Sequence, residues 1–267
     1  MCIRDSNGIR AWGLKSNEFS IKPAHDYHDK AEMYNDCNKL KIKPLKIVLT
    51  GGGRVATGAM ETLRAFNIKE VSPKDFLERN YSEAVFTKLE PWDYVKHKEN
   101  QPFELNHFFK NPQEYVSTFE PYTKVADLYV ACHFWDPKSP VFFTQSDVQK
   151  QDFNIKVIAD VSCDIKDPIP STLRASTIAE PFYDYNPKTG LEEPAFTSDK
   201  NITVMAIDNL PGELPRDASE EFSKGLINNI FDLLINGDKD DIILRATIVK
   251  DGHLTPKFSY LQEWANS

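Results

Sequence analysis

Several features that often mark a function are missing from this sequence. Its 267 residues include only four cysteines, Cys2, Cys37, Cys132 and Cys163, and no two of them form a C-x-x-C pair. A thioredoxin-like redox pair is therefore excluded. Cys132 and Cys163 sit in apolar, strand-like runs, so buried reduced thiols and a cytoplasmic protein are expected. No run of about 18 apolar residues occurs, so no transmembrane helix and no membrane partner are expected. The first ten residues carry charges and lack the apolar stretch of a secretory signal. There is no G-x-S-x-G element and no Walker loop, which speaks against a serine-hydrolase elbow and a P-loop. Basic residues are outnumbered, 32 to 40, giving a net charge of −8. Nucleic-acid binding has little electrostatic support. The short series Lys39, Lys41, Lys43 and Lys46 reads as a solvated linker. His25 and His28 have no cysteine or acid cluster to complete a metal site, so no metal is expected and both read as surface residues.

The composition itself is ordinary for a folded protein: 40% hydrophobic and 27% charged residues. The length suits one large or two small domains. Ile9 to Leu14 reads as the end of a strand, and His25 to Leu40 as a polar helix. Lys46 to Thr50 (KIVLT) is a short β-rich run. Val55, Ala59, Leu63 and Phe66 then recur at helical spacing. Ile68 to Val71 is a second short strand, and Ala84 to Thr87 a third, inside a proline- and aromatic-rich stretch from Ser72 to Pro121. Ala126 to Cys132, Lys156 to Ala159, Thr177 to Ala179 and Thr203 to Ile207 read as further strands, with a short helix at Gln145 to Gln151. Ser219 to Ile235 has helical spacing closed by Asn236-Gly237. Strands alternating with helices predict an α/β fold, a Rossmann-type mostly parallel sheet flanked by helices.

The most informative local feature is Gly51-x-Gly53-x-x-Ala56 between the KIVLT strand and the helix. The first glycine permits a sharp turn. The second lets the backbone approach a pyrophosphate, and the small third residue lets helix and strand pack closely. The helix N-terminus then presents free N–H groups to phosphates, and Arg54 adds charge. A nicotinamide dinucleotide is the expected ligand. The acid that would meet its ribose should end the second strand, about 20 residues on. Glu70 is near that place, but Ser72 occupies the strand end. With Ser72 there, no carboxylate repels a 2′-phosphate, so NAD and NADP both stand.

In open α/β sheets, ligands lie at the carboxyl ends of the strands. Three such ends are polar: Cys132-His133-Phe134-Trp135, Asp160-Val161-Ser162-Cys163-Asp164 and Asp208-Asn209-Leu210-Pro211-Gly212. They are candidates to line a nicotinamide pocket. Asp160 and Asp208 can equally be turn or helix caps.

Three segments carry a family resemblance: ADLYVACHFWDPKSPVFFT (126–144), IKVIADVSCDIKDPIPSTLRASTIAEPF (155–182) and ITVMAIDNLPGELPRDASEEF (202–222). They resemble the lysine-forming saccharopine dehydrogenases and the lysine-ketoglutarate reductase part of aminoadipic semialdehyde synthase. More distantly, they resemble alanine dehydrogenase and the soluble domain of transhydrogenase. The likeness runs from about residue 7 to the end of the chain.

The resemblance implies reversible reductive amination of 2-oxoglutarate with lysine to saccharopine, using NAD or NADP. It also implies two α/β domains, read here as a substrate-domain remnant with a linking helix at 1–44, a dinucleotide-binding domain at 45–210, and a C-terminal helical segment at 211–267 returning to the substrate domain. By the same resemblance Gly51, Gly53, Arg54 and Val55 form the phosphate turn. Cys132, His133 and Phe134, then Val161 and Ser162, line the cofactor. Ile207, Asp208, Asn209 and Leu210 meet the nicotinamide end, with Asp208 supporting the reacting centre. In the family a longer stretch precedes the phosphate turn and carries the catalytic Lys and His. No residue here matches them, so an N-terminally truncated chain without activity of its own is expected. An alanine-dehydrogenase-like enzyme and a non-catalytic dinucleotide-binding module are the alternatives. Oligomeric state is left open.

Overall fold

The computed structural model describes residues 4–266, with side chains from Ser6 onward. The chain divides into two compact units, one ending at Pro215 and the other beginning at Arg216.

The first unit contains helices α1 (Arg4–Ser16), α2 (Lys30–Cys37) and α3 (Arg54–Ala65), besides shorter ones. Its strands are β1 (Lys46–Thr50), β2 (Lys69–Glu70), β3 (Val85–Leu89), β4 (Val95–His97), β5 (Tyr115–Ser117), β6 (Leu128–Ala131), β7 (Val157–Asp160), β8 (Tyr183–Asn186), β9 (Leu191–Glu193) and β10 (Ile202–Met205). Eight of them form one sheet in the order β2-β3-β1-β6-β7-β10-β8-β9. The six strands from β2 to β10 in that order are mutually parallel, and β8 and β9 add an antiparallel edge. β4 and β5 pair separately. The fold is α/β, as expected.

Side chains alternate between the two faces of the sheet, as a strand's two-residue period requires. Ile47, Leu49, Leu128, Val130, Val157, Ala159 and Met205 belong to one cluster, which contains buried residues of α1, α2 and α3. Val48, Tyr129, Ile158 and Val204 belong to the other. Both faces are covered, the usual condition of a parallel sheet. The second face is covered largely by aromatic side chains rather than long helices. Phe119, fully buried, has its ring 5.0 Å from Tyr129, 5.2 Å from Phe142 and 5.8 Å from Tyr122. The irregular stretch after Ser72 is thus a packed aromatic layer.

Four sequence expectations change. Ile9 to Leu14 is helical, within α1. Ile9 and Ala11 are fully buried, and a Cβ on Gly8 would lie 3.0 Å from Ala159 Cβ, so the helix rests directly on β7. A short apolar run does not distinguish strand from buried helix. Thr177 to Ala179 is not a strand; the chain there makes one isolated bridge, Ser176 to Ile207. Val55 is 44% exposed, and the inner face of α3 is Ala56, Ala59, Met60 and Leu63. Cys37 and Cys132 are buried, but Cys163 is only partly so; Cys2 lies outside the described residues.

Beneath the glycine turn runs a buried polar chain. Thr50 Oγ1 is 2.9 Å from Tyr129 Oη and 2.9 Å from His133 Nδ1, tying the end of β1 to β6. The His133 ring also packs on Phe142, 4.3 Å between centroids. Burial pushes its imidazole down to about 3, so it is neutral at physiological pH.

In the second unit a helix continues through a π turn at Ile227–Phe231 to Asn236, and Gly237 (φ 98°) ends it. Asp238 carboxylate oxygens accept from the N–H groups of Ile242 and Leu244 at 2.7 and 2.9 Å, opening a helix at Ile242–Ala246. Val249–Lys250 and His253–Leu254 form a small hairpin.

Two outcomes follow from the packing. Phe119→Ala should cost about 3–5 kcal/mol in chemical denaturation, the range for a large buried ring; a loss below 1 kcal/mol would contradict its central place. His133 has a folded value depressed below the unfolded one, so the unfolded chain binds the extra proton. Stability conferred by the neutral ring is present above about pH 6.5 and is lost as pH falls toward 3. Between pH 7 and pH 5 the wild type should therefore lose about 2 kcal/mol more than His133→Phe, measured as the difference between two urea-denaturation series.

Candidate dinucleotide site

Parallel strands in register bring their carboxyl ends to one edge. Thr50 pairs with Leu89 on one side and Ala131 on the other, and Ala131 pairs with Asp160. Along that edge stand Glu90, the Gly51–Gly53 turn, Cys132 to Phe134, Val161 and Ser162, and Ile207 to Leu210. The strand-end segments named from the sequence are thereby brought together, with the exception of Ser72.

The three glycines differ in what they do. Gly51 has φ +121°, and a Cβ on it would lie 2.5 Å from the Cys132 carbonyl oxygen. Its N–H donates to Leu89 O at 3.1 Å. Both conformation and space demand glycine. A Cβ on Gly52 would collide with the Glu90 carboxylate. Gly53 is different: φ is −91°, and a Cβ there would meet no atom within 4 Å. Gly53 opens α3, whose N-terminus has no side-chain cap. Arg54 and Val55 follow it, both exposed, while Ala56 is buried against the sheet.

After β6, Cys132 and His133 are buried and Phe134 is 90% exposed. The His133 Nε2 is buried without a partner. After β7, Asp160 is fully buried. Its Oδ1 accepts from the Ser162 hydroxyl (2.7 Å), the Ser162 N–H (2.9 Å) and the Cys163 N–H (3.2 Å), and its Oδ2 from the Thr172 hydroxyl (2.6 Å). Burial raises the carboxyl's pKa, and those hydrogen bonds oppose the rise. Asp160 is the turn organiser of the two readings open to it. Cys163 Sγ donates to Ile207 O at 3.4 Å, linking this loop to the segment after β10. There, Ile207 and Leu210 are buried, while Asp208 and Asn209 are exposed. The short 3₁₀ turn Leu210–Gly212 is capped by neither Asp208 nor a side-chain bond from Asn209. Asp208 is therefore an exposed carboxylate at the strand edge rather than a cap.

Ser72 and Glu70 are displaced from the glycine turn. Glu70 ends β2, the outermost strand, and Ser72 follows it, while β3 lies between β2 and β1. Ser72 caps the helix Pro73–Glu78, accepting from Asp75 N–H at 3.1 Å, and Glu70 accepts from Arg64 at 2.6 Å. The residue beside the glycine turn is Glu90, which the sequence reading missed. It had taken the next strand in the chain for the next strand in the sheet.

Apart from this edge, the ligand atoms of two histidines and a carboxylate lie close together at His97, His107 and Glu114. His97 Nε2 is 3.3 Å and His107 Nε2 3.7 Å from Glu114 Oε2. The Glu99 N–H donates to His97 Nδ1 at 3.2 Å. That leaves the neutral ring's proton on Nε2, aimed at Glu114, so His97 presents a donor and not a lone pair to the cluster. A cavity of about 570 Å³ lined by Lys98, Tyr115, Ser117, Phe142 and Asp147, among others, shares no lining residue with the strand edge.

No family model matches the chain. It is 26% identical over 260 residues to an alpha-aminoadipic semialdehyde synthase of Arabidopsis thaliana, covering 85% of this chain and 24% of that protein. It is 25% identical over 263 residues to the mitochondrial alpha-aminoadipic semialdehyde synthase of Rattus norvegicus, covering 85% and 28%. A lysine-forming, NAD(+) saccharopine dehydrogenase of Neurospora crassa is 28% identical over 193 residues, covering 71% and 41%. The chain spans about a quarter of the length of the first of these relatives. Among solved structures, an L-alanine dehydrogenase aligns with a TM-score of 0.44 and 14% identity, over 97% of this chain and 64% of that one. Over most of its length, then, this chain is similar to alpha-aminoadipic semialdehyde synthases and lysine-forming saccharopine dehydrogenases.

Proposed function

We propose that the strand edge binds a nicotinamide dinucleotide, NAD or NADP, and that the chain is the cofactor-binding part of an oxidoreductase of lysine and saccharopine metabolism. The reaction would be the reversible reductive amination of 2-oxoglutarate with lysine. The observation that carries the binding reading is Gly53. Protein packing gives no reason for a glycine there, since its φ is ordinary and a side chain would meet no protein atom. Close approach of a ligand does give one.

In this reading Gly51 turns the chain, and Gly53 admits the pyrophosphate to the uncapped N-terminus of α3, where free N–H groups and the helix dipole favour negative charge. Arg54 adds a cation and Val55 an apolar contact at the same turn. Cys132, His133 and Phe134 follow along the edge, with Val161 and Ser162 beyond them. Ile207, Asp208, Asn209 and Leu210 stand at the nicotinamide end, with Asp208 facing solvent beside the reacting centre. When bound, the nicotinamide supplies or accepts the hydride. His133 is not the group that exchanges protons with substrate. Its Nδ1 is engaged by Thr50, its Nε2 is buried, and burial keeps it neutral.

The test is a titration of the chain with NADH and NADPH, followed by tryptophan fluorescence, on wild type and Gly53→Val. Wild type should bind at least one of them saturably. Gly53→Val should stay folded, with stability changed by about 1 kcal/mol or less, yet lose at least about tenfold in affinity through the blocked approach. Undiminished binding by Gly53→Val, or no binding by folded wild type, would contradict the reading.

A further inference from the structure

Rossmann-type sheets place the adenosine ribose against the carboxyl end of the strand that adjoins the first one, on the side away from the crossover. Usually that neighbour is the next strand in the chain, which is why an acid is sought about 20 residues after the glycine turn. Here the chain departs from that order. β2 lies at the edge of the sheet, and β3 is inserted between it and β1, paired with β1 from Lys46–Val85 to Thr50–Leu89. The residue that follows β3 is Glu90. We propose that Glu90 receives the ribose hydroxyls of the adenosine half and makes this site select NAD(H) over NADP(H). The proposal rests on the dinucleotide reading above.

The geometry is specific to this residue. Gly51 N–H donates to Leu89 O at 3.1 Å, so the glycine turn is joined to the end of β3. The Glu90 carboxylate lies against Gly52, in the space a Cβ at that position would need. A side chain at Gly52 would have to displace that carboxylate. The Glu90 backbone is fixed from below, its N–H donating to Asp93 Oδ2 at 2.9 Å ahead of Pro91. Its side chain is 21% exposed and is paired with the Lys88 ammonium, a neighbour on the same strand. The carboxylate is thus paired with Lys88 and keeps part of its surface exposed to a ligand. A carboxylate accepts hydrogen bonds from a vicinal diol. A 2′-phosphate in the same place would bring like charges together. Lys88 adds a second consequence. Once Glu90 is made neutral, the ammonium loses its partner and becomes available to a phosphate.

The experiment compares NADH and NADPH titrations of wild type, Glu90→Gln, Glu90→Ser and Glu70→Gln, with circular dichroism on each variant. Glu90→Gln keeps the side-chain shape, which guards against a folding defect in Glu90→Ser. Wild type should prefer NADH by at least about tenfold, the like-charge clash opposing NADPH. Both Glu90 variants should close or reverse that ratio, with NADPH affinity rising, and Glu70→Gln should leave it unchanged. Equal affinities in wild type, an unchanged ratio in folded Glu90→Gln, or a shift caused by Glu70→Gln would each overturn the assignment. Saturable binding of both cofactors without preference would leave the dinucleotide reading standing and remove only Glu90. Binding of neither would remove both.

Discussion

The close approach at Gly51 is the constraint on which the strand edge depends. Three chain segments meet there: the end of β1, the end of β3 through Leu89, and the start of the loop after β6 through Cys132. A side chain of any kind would strike the Cys132 carbonyl. Thr50, the preceding residue, secures the same junction from inside the core through Tyr129 and His133. Because the turn is locked to both neighbours, the N-terminus of α3 is held at a fixed place above the sheet. The site residues on the adjoining strands inherit their positions from it.

Strand-end residues divide into those used up by the fold and those left open. Asp160 has both oxygens engaged and shapes the Ser162–Cys163 loop. His133 is engaged in the core. Phe134, Asp208, Asn209 and Arg54 are exposed along the edge, and Gly53 leaves open space above it. Residue type alone does not separate these groups, since Asp160 ends β7 and Asp208 comes shortly after β10. What separates them is the loop that follows. The chain after Asp160 curls back so that its N–H groups and the Thr172 hydroxyl reach the carboxylate, whereas the chain after Asp208 runs on into a 3₁₀ turn.

Much of the framework was legible because it is local. KIVLT, the glycine turn and α3 declare themselves within 20 residues, and the parallel strands β6, β7 and β10 are compact apolar runs. What was not legible is non-local. Exchange of β2 and β3 leaves no mark on either strand's own sequence, so the sequence does not show that Glu90, rather than Glu70 or Ser72, lies beside the glycine turn. β8 and β9 read Tyr183-Asp184-Tyr185-Asn186 and Leu191-Glu192-Glu193, an antiparallel pair whose polar residues hide the period. Asp184 is fully buried because Thr203 Oγ1 donates to it at 2.6 Å and Lys15 Nζ lies 3.9 Å away, partners contributed by distant elements. The aromatic-rich stretch shows in the sequence, but its packing as a layer over the second face does not, because its rings come from irregular chain with no repeat.

The central claim is that one ligand spans the carboxyl ends of the parallel strands. Hydrogen–deuterium exchange with and without saturating NADH measures it most directly. The account predicts slowed exchange in peptides covering residues 50–56, 89–92, 132–135, 161–163 and 206–210, with little change in residues 95–117 on the separate hairpin. Protection confined to the hairpin region, or none at any of the five strand ends while NADH is bound, would contradict it.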